Sequence, residues 1–355
     1  MNDQILTHVD KTNIDFLAKG GAVLGSGGGG DPYIGRLMAQ HALGDKKVEI
    51  IDLKTLPDDA LILPVAMMGA PQVMQEKFPA ENNFVNCVET IERLLDRKVD
   101  ALFCIEAGGL NSVIPVIAAA ELGLPLVDAD AMGRAFPELQ MVSFTLGGIG
   151  ATPMAMSDEK GNSAVFNTIS NQWTERFARS VTIEMGGAAI VALYPISGRQ
   201  AKDHAIPNTL TQIHKIGQLM AENGAAATAA IAEDQGGSIL FNGRIRDVER
   251  KTEGGFTKGR LVLEGQGDFR NRITEMNFQN EFLSIAEEGR YLATTPDLLT
   301  LLDANTGVPV TTDLVKYGLS VFVLGLPSPA VWKTESGLKL VGPRYFKLET
   351  DYNPI

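Results

Sequence analysis

The sequence has little of what most redox and zinc centres need. It contains two cysteines, Cys87 and Cys104, and four histidines among 355 residues. Two cysteines far apart in the chain exclude a disulfide framework and a thiol-rich zinc site. No histidine belongs to an HxH or HExxH pattern, so a histidine-built zinc centre has no support either. We expect Cys104, which lies in an apolar segment, to be an inert buried thiol.

Basic residues are also scarce, and they are not clustered. The chain has 31 Lys and Arg against 43 Asp and Glu, a formal net charge of −12. Nucleic acid is a poor partner for such a field, because phosphates are neutralised by grouped Lys and Arg. No stretch reaches the roughly 18 apolar residues of a membrane span, and the polar start MNDQILTHVD lacks a signal-peptide core. We expect a cytoplasmic homo-oligomer that acts on a small molecule and binds neither nucleic acid nor membrane.

The chain is longer than one ordinary domain and is rich in glycine. A chain of 355 residues is about twice the size of one ordinary domain. Its 45% hydrophobic and 21% charged residues are typical of a folded globular protein. Glycine occurs 37 times, above the average of roughly 7%. Many of these glycines are adjacent, which indicates repeated use of backbone conformations that other residues avoid.

The first half alternates between strand-like and helical segments. Strands are predicted at 48–51, 60–65, 101–105, 124–127 and 140–146, and helices at 84–95 and 112–122. An earlier helix, which includes Ile14, is predicted to stop at Gly20 and Gly21. The alternation is expected of a parallel sheet covered by helices on both faces. We therefore predict an α/β three-layer domain over residues 1–172.

The second half has a different pattern. After a helix near 174–180, a strand at 188–193 and a long helix at about 208–223, almost everything beyond residue 238 is predicted as short strands separated by turns. Regular turn spacing with few helices favours an antiparallel barrel or sandwich. We predict a mainly β, barrel-like domain with one or two helices over residues 173–355.

Polar side chains follow the predicted strands of the first domain. Glu106 and Asn111 come after the strand at 101–105, and Asp128, Asp130 and Arg134 come after the strand at 124–127. In an open parallel sheet, ligands bind beyond the carboxyl ends of the strands. The segment MGAP at 68–71 follows a third strand. The sequence thus predicts an active site in which these side chains share one crevice.

Each of these side chains has a functional and a purely structural interpretation. Close carboxylates push their pKa values apart, so Asp128 or Asp130 could act as a base, with Glu106 as its partner or proton donor. The same three carboxylates could hold a divalent metal. Arg134 could bind a substrate carboxylate or carbonyl. Helix caps and internal ion pairs between Arg134 and the aspartates are the structural alternatives.

The glycine loop is a further candidate for binding. Its backbone amides, at Ser26, Gly27, Gly28, Gly29 and Gly30, could wrap around an anion and add the positive end of the next helix dipole. It is no nucleotide signature, because no Lys-Ser/Thr follows as in a P-loop. The alternative interpretation is a turn in which glycine allows close packing between chain segments.

The second domain contributes three polar strings. QNE at 279–281 interrupts a long strand, TPD at 295–297 precedes an apolar run, and GPR at 342–344 stands near the end. Polar residues at strand breaks can line a cleft between domains, which is a common position for ligands. Turn chemistry and bulges are the alternative for each string.

Together these strings resemble the bacterial and archaeal family named for S-methyl thiohydantoin desulfurase, formerly a domain of unknown function found near hydantoinases. The resemblance rests on LGSGGGGDP (24–32), MGAP (68–71), EAGGLN (106–111), DADAMGRAFPE (128–138), QNE (279–281) and TPD (295–297). It covers nearly the whole chain, and DADAMGRAFPE is its most specific part. Ala107 departs from the larger apolar residue expected there. The resemblance implies an α/β amino-terminal domain and a β-barrel carboxy-terminal domain.

The resemblance also implies a reaction. It is the hydrolysis of a 2-methylthio-imidazolone ring with a propionate arm, which releases methanethiol and leaves a hydantoin. Such chemistry requires an activated water, a proton donor for the ring nitrogen and a cation for the acidic arm. On this basis Glu106, Asp128 and Asp130 are the candidate catalytic residues. Asn111, Arg134 and the glycine loop are the candidate substrate-binding residues, and a divalent metal is the candidate cofactor.

Two other function classes remain open at this point. The chain could be a non-catalytic or regulatory partner of a hydantoinase-type enzyme, which would be inactive alone and co-purify with that partner. It could also be an ATP-dependent cyclic amidase of the hydantoinase A or oxoprolinase kind, which would turn over ATP in the presence of a cyclic amide. The missing P-loop lysine argues against one ATP fold only.

Overall fold

The computed structural model describes residues 5–30, 32–69, 83–253 and 256–355. The helices are α1 (Ile14–Leu24), α2 (Pro32–Leu43), α3 (Asn83–Leu95), α4 (Ile114–Leu122), α5 (Ser143–Leu146), α6 (Asn171–Glu184), α7 (Gly198–His204), α8 (Thr209–Asn223), α9 (Ala227–Asp234) and α10 (Glu335–Val341). Short 3-10 turns occupy Leu53–Thr55, Gly109–Ser112, Gly224–Ala226, Gly267–Phe269 and Ala330–Lys333. None of these helices is long and apolar enough to cross a membrane.

The strands of the first half are β1 (His8–Val9), β2 (Val48–Ile51), β3 (Leu61–Gly69), β4 (Ala101–Cys104), β5 (Leu126–Val127), β6 (Ala129–Asp130), β7 (Met154–Ser157), β8 (Ser163–Phe166), β9 (Ala188–Ala192), β10 (Ile196–Ser197) and β11 (Ile206–Pro207). The main sheet has the order β1-β2-β5-β4-β3-β9-β7-β8, with β10 also paired to β3. Pairing is parallel from β2 to β3 and antiparallel elsewhere in this sheet. The predicted parallel sheet is thus the centre of a mixed one.

Strand β3 shows why this domain has layers on both faces. Its side chains alternate between two apolar cores: Leu63, Val65 and Met67 belong to one core, and Ile62 and Met68 belong to the other. A strand whose two faces are both buried is characteristic of a sheet covered on each side. The mixed α/β architecture predicted for the first half is therefore confirmed.

Two local predictions in the first half are wrong. Residues 140–146 do not form a strand, since Ser143–Leu146 is a short helix. Helix α1 does not stop at Gly20 and Gly21 but continues to Leu24. A β-carbon on Gly20 would lie 1.8 Å from the carbonyl oxygen of Ile213 in α8. Gly20 therefore allows two helices to approach closely. A glycine that stops a helix and one that packs against another helix cannot be distinguished from the sequence alone.

We expect Gly20→Ala to lower the free energy of unfolding by about 1–3 kcal/mol, the usual cost of overpacking a close contact. Urea unfolding followed by circular dichroism measures the change. Gly150→Ala is the matched control, because a β-carbon there would meet nothing nearer than 4.0 Å. Equal stability of the two variants would contradict the proposed role of Gly20.

The second half forms an antiparallel sheet. Its strands are β12 (Ser238–Glu253), β13 (Phe256–Gly265), β14 (Ile273–Gln279), β15 (Glu281–Glu287), β16 (Arg290–Thr294), β17 (Leu298–Asp303), β18 (Pro309–Val310) and β19 (Ser320–Leu326). The pairing order is β16-β15-β14-β13-β12-β19-β17-β18. Among the described strands no pairing joins β16 to β18, so the expected barrel is an antiparallel sheet without demonstrated closure.

The two halves are joined by backbone contacts and by a shared sheet. Strand β9 lies between β3 and β7 in the first sheet although it follows residue 172. The amide of Phe282 donates to the carbonyl of Ser26 over 2.8 Å, and the amide of Thr312 donates to the carbonyl of Gly27 over 2.9 Å. The glycine loop is thus attached to the second half. The domain boundary near residue 172 stays a prediction.

Candidate active site

A cavity of about 130 Å³ lies where the two halves meet. Its walls come from the carboxyl ends of β3 and β4, the glycine loop, the start of α6 and the β14–β15 turn. The lining includes Gly27, Gly28, Gly29, Gly30, Met67, Met68, Gly69, Glu106, Asn111, Phe136, Glu138, Glu175, Arg179, Thr257, Asn280, Glu281 and Thr312. The strand-end position predicted for the site is where the cavity is found. Residues 70 and 71 of the MGAP segment lie outside the described residues.

Glu106 is the acidic residue from the predicted set that reaches this cavity. Its side chain is 7% exposed, and it directly follows the last residues of β4. Burial, opposed by a hydrogen bond from Asn111 and assisted by the charge of Asp130, raises the pKa of Glu106 to about 8. Since water no longer solvates the charged form, the carboxyl retains its proton near neutral pH.

Asn111 fixes the orientation of Glu106. The Nδ2 atom of Asn111 donates to Glu106 Oε1 over 2.6 Å and to the carbonyl of Met67 over 3.2 Å. The amide of Met67 donates to Asn111 Oδ1 over 2.8 Å. Asn111 is therefore clamped on β3 and occupies one oxygen of Glu106. Glu106 Oε2 is buried and has no hydrogen-bond partner among the described residues.

Glu281 is the second buried carboxyl of the cavity. It is 3% exposed, and it begins β15 directly after Asn280, whose φ is 58°. Burial and the charge of Glu106 raise the pKa of Glu281 well above its ordinary value, while the charge of Arg134 opposes this shift. The sequence showed only that QNE interrupts a strand, which indicated a cleft position but no catalytic one.

The glycine loop brings Glu281 into the cavity. A β-carbon on Gly28 would lie 2.0 Å from Glu281 Oε1, and one on Gly27 would lie 2.3 Å from the ring of Phe282. The packing interpretation of the loop is therefore supported. The amide of Gly28 donates to Gly25, but the amides of Gly27, Gly29 and Gly30 have no hydrogen-bond acceptor among the residues described. All four glycines line the cavity.

Ser26 does not line the cavity with the four glycines. It is fully buried behind them, with a φ of 49°. Its Oγ has no partner within the described part of the chain. Its carbonyl accepts the hydrogen bond from Phe282, so the residue joins the loop to β15. The structure thus places Ser26 as an attachment point, and not as the substrate contact that was predicted.

Asp130 lies behind the cavity wall. Its Oδ2 accepts a 2.7 Å hydrogen bond from the amide of Ala107, and both its oxygens accept from the amide of Gly133 at 2.9 Å. Burial raises the pKa of Asp130 to about 7 against the effect of these hydrogen bonds. The carboxyl therefore ties the EAGGLN segment to the DADAMGR segment. The geometry places it as a support of Glu106, in contrast to the predicted base.

The carboxyl of Asp128 lies at the start of helix α8. Its Oδ1 accepts from the amide of Thr211 over 3.0 Å, and its Oδ2 accepts from the Thr211 hydroxyl over 2.6 Å. Its own carbonyl accepts from the amide of Asn208. Asp128 therefore caps the start of α8. This is the helix-capping role given above as the structural alternative for the aspartates. Asp128, between β5 and β6, and Asp130, at the end of β6, therefore have different hydrogen-bond partners.

The predicted metal set of Glu106, Asp128 and Asp130 does not converge. Within the described residues, no group of three or more His, Cys, Asp or Glu side chains is arranged to hold a metal ion. The oxygens of Asp128 and Asp130 are already engaged by hydrogen bonds to the backbone and to Thr211. These donors do not fit a divalent metal.

Arg134 is fully buried and does not line the cavity. Its Nη1 donates to the carbonyls of Pro296 and Asp297 over 2.7 and 2.8 Å, and its Nε donates to Ala135 over 3.0 Å. Its guanidinium also lies 4.6 Å from the centre of the Phe136 ring. Arg134 therefore links the DADAMGR and TPD segments. The geometry does not place it in contact with a substrate in the cavity.

Arg179 is the cation that sequence reasoning missed. Among the cavity residues that the structure describes it carries the one positive charge. Its Nε donates to Glu175 Oε1 over 2.7 Å, its Nη2 donates to the carbonyl of Pro137 over 3.1 Å, and its guanidinium stacks on Phe256. The residue lies in helix α6, and the sequence of that helix gave no signal of a site.

Two family models divide the chain between them. The model described as the N-terminal domain of S-Me-THD-like proteins matches residues 12–168, and the corresponding C-terminal domain matches residues 169–355. The chain belongs to the S-Me-THD-like family. The resemblance inferred from the sequence motifs is thereby confirmed.

A solved structure shares the fold of this S-Me-THD-like chain. The X-ray crystal structure of a protein from Chromobacterium violaceum aligns over 99% of this chain and 100% of that chain, with a TM-score of 0.82 and 23% sequence identity. At this identity the likeness concerns the fold. No curated protein matches the chain. The roles of the cavity residues therefore rest on their geometry.

Proposed function

We propose that this S-Me-THD-like chain is a hydrolase of a five-membered thiohydantoin-type ring, which releases a thiol and leaves a hydantoin. The observation that carries the proposal is a pair of buried carboxyls, Glu106 and Glu281, in one cavity wall. Burial raises the pKa of both carboxyls, and the charge of Glu106 further raises the pKa of Glu281. Two interacting carboxyls in a dry site can divide acid and base roles between them.

Glu106 is proposed as the acid and Glu281 as the base. Glu106 retains its proton near neutral pH because burial raises its pKa to about 8. A protonated Glu106 carries no charge, so it no longer repels a charge on Glu281. Burial raises the pKa of Glu281, and the charges of Arg134 and Arg179 oppose this effect and favour the carboxylate form that the proposed base requires.

The proposed reaction balances with these two groups and one water. The water oxygen bonds to the ring carbon that bears the methylthio group, and its proton passes to Glu281. The electron pair of the C=N bond moves to the ring nitrogen, which takes the proton of Glu106. The C–S bond then breaks as the hydroxyl gives its proton to Glu106 and becomes the carbonyl, and the sulfur leaves as methanethiol with the proton that Glu281 had taken. The glycine loop in the cavity lining would stabilise, through its backbone amides, negative charge that develops near it.

Arg179 is proposed for the role that Arg134 cannot fill. A ring with an acidic arm needs a cation in the cavity, and the guanidinium of Arg179 has Nη1 without a hydrogen bond to any described residue. Its stacking on Phe256 and its bonds to Glu175 and Pro137 hold it in one orientation. The arm would therefore point toward α6.

A direct assay tests the proposed function. Purified protein is incubated with a 2-methylthio-imidazolone that carries a propionate arm, and methanethiol is measured with a thiol reagent. A set of hydantoins with and without ATP, and the same assays after treatment with a chelator, separate the alternatives. Turnover without ATP supports the proposal. Turnover only with ATP supports the cyclic amidase, and inactivity alone with co-purification of a hydantoinase-type enzyme supports the regulatory partner.

The pH dependence is a further expectation. Because the acid must be protonated, kcat/KM is expected to decrease as the pH rises through about 8, the pKa of Glu106, and to fall about tenfold per pH unit above it. A pH–rate profile with a substrate that does not ionise in this range measures this decrease. Glu138→Gln, in the same cavity, should show the same decrease. A profile that is flat beyond pH 8 would contradict Glu106 as the acid.

Arg179→Met is expected to raise KM for a substrate with an acidic arm by about 10–100-fold, since a hydrogen bond to a charged group contributes about 1.5–3 kcal/mol. The effect should be much smaller for the same ring without the arm. Steady-state kinetics with both substrates measure it. Arg176→Met is the matched control, because Arg176 lies in the same helix and stacks on the exposed Trp173. Equal losses for the two substrates would argue against the proposed contact.

A further inference from the structure

Four charged side chains each present one buried polar atom without a hydrogen-bond partner among the described residues. One is Arg36, at Nε in helix α2, and the other three atoms are Glu106 Oε2, Glu281 Oε2 and Arg134 Nη2. Buried polar atoms are normally satisfied by protein or by ordered water, so each such atom needs an explanation. Most of the other unpartnered buried atoms are hydroxyl or amide atoms, which cost less to leave unpaired than a charged group.

The three side chains also interact with one another. Glu281 is influenced by the charges of both Glu106 and Arg134, and Arg134 by the charges of both glutamates. Within the described part of the chain, however, no hydrogen bond or ion pair joins any two of them. Arg134 uses its Nε and Nη1 on the carbonyls of Ala135, Pro296 and Asp297, so Nη2 is the donor that remains.

The charges of the three groups decide what kind of ligand fits between them. If the two glutamates share one proton, their charge and that of Arg134 sum to zero. Asp297, whose charge also acts on Arg134, lies 3.9 Å from the ammonium group of Lys333. This balance favours a neutral ligand. Arg134 would repel a metal cation, and a glutamate would repel an anion. Buried water typically makes about three hydrogen bonds to polar groups that are otherwise unsatisfied. A water can accept from Arg134 Nη2 and donate to a carboxylate oxygen.

We infer that Glu106 Oε2 and Glu281 Oε2 in the cavity wall, together with Arg134 Nη2 from behind that wall, form a binding site for a single ordered water. This inference rests on the proposed function for its role: the water is the one that attacks the ring. Glu281 accepts its proton, and Arg134 is a positioning residue that holds its oxygen without touching the substrate. Asn111 keeps Glu106 Oε2 free for this contact by occupying Oε1.

An X-ray structure of the full chain at atomic resolution tests the site. The expected result is one water within about 2.7–3.2 Å of at least two of the three atoms, which is retained in Glu106→Gln, because glutamine keeps a polar atom there. In Glu281→Met the water should be lost or displaced. A direct ion pair between Arg134 and Glu281, or a wild-type structure with no water at these atoms, would overturn the inference.

The same experiment separates the water site from the proposed function. A water in place together with no turnover of the ring would end the proposed reaction and leave the site standing. Turnover without such a water would retain the reaction and remove the site. As a kinetic readout, Arg134→Lys should lower kcat by about tenfold or more with little change in KM, because the substrate contacts stay intact. An effect on KM alone would contradict a positioning role.

Discussion

Glu106→Gln and Glu281→Gln are each expected to lower kcat/KM for ring hydrolysis by about 10²–10⁴-fold, the usual contribution of a positioned acid or base. Glutamine is nearly isosteric with glutamate but neither gives nor takes the required proton. The folded structure should be retained. Burial disfavours the charged form of both glutamates, and glutamine carries no charge. Methanethiol release under single-turnover conditions measures the loss.

The double variant distinguishes a catalytic pair from two independent residues. If Glu106 and Glu281 act on the same step, kcat/KM of the double variant should lie within a small factor of the value for the slower single variant. Glu138→Gln is the matched control, since Glu138 lines the same cavity but accepts hydrogen bonds from Gln140 and Tyr345. Near-normal turnover by either single variant would remove that residue from the reaction.

Arg134→Met is expected to cause the largest loss of stability, about 3–5 kcal/mol, because removing one partner from a buried charged network leaves the others unpaired. The carbonyls of Pro296 and Asp297 would lose their donor, and Glu281 would lose its nearest stabilising charge. Chemical denaturation measures the change. An insoluble Arg134→Met protein would agree with the prediction. Arg134→Lys should be soluble and of intermediate stability, since lysine retains the positive charge but not the planar set of donors of the guanidinium.

Arg344→Met is the control for this measurement. Arg344 also pairs with an acid, Asp351, over 2.6 Å, but both side chains are largely exposed. Exposed ion pairs contribute little to stability, so its unfolding midpoint should stay at the wild-type value. If Arg134→Met were as stable as Arg344→Met, the link between the DADAMGR and TPD segments would not be a structural one.

Local patterns in the sequence predicted the elements that positioned the site. Alternating strands and helices indicated a layered α/β half, and the polar residues after β4 indicated a site at that end of the sheet. Glu106 and Asn111, which this reasoning selected, line the cavity, because a strand end fixes where its next residues emerge. The segment at 140–146 failed because a short apolar run fits a strand or a helix equally well.

The roles of the acidic residues were not predictable in this way. Asp128 and Asp130 stand two apart at another strand end, yet one caps α8 and the other holds two backbone segments together. Their partners, Thr211 and Ala107, come from distant parts of the chain. Which hydrogen-bond donors reach a carboxyl is determined by packing between elements, and the residue pattern alone carries no information about that.

The amino-acid sequence by itself determined the family of this protein, its α/β first half, its strand-rich second half and the edge of the sheet where the cavity lies, because periodicity and motif spacing are local properties. Only the tertiary structure decided that Glu281 faces Glu106, that Arg134 is buried behind them and that Arg179 enters the cavity. The physical reason is close approach. Gly28 leaves the space that Glu281 occupies, and a contact between residues so far apart in the chain exists only after both halves have folded.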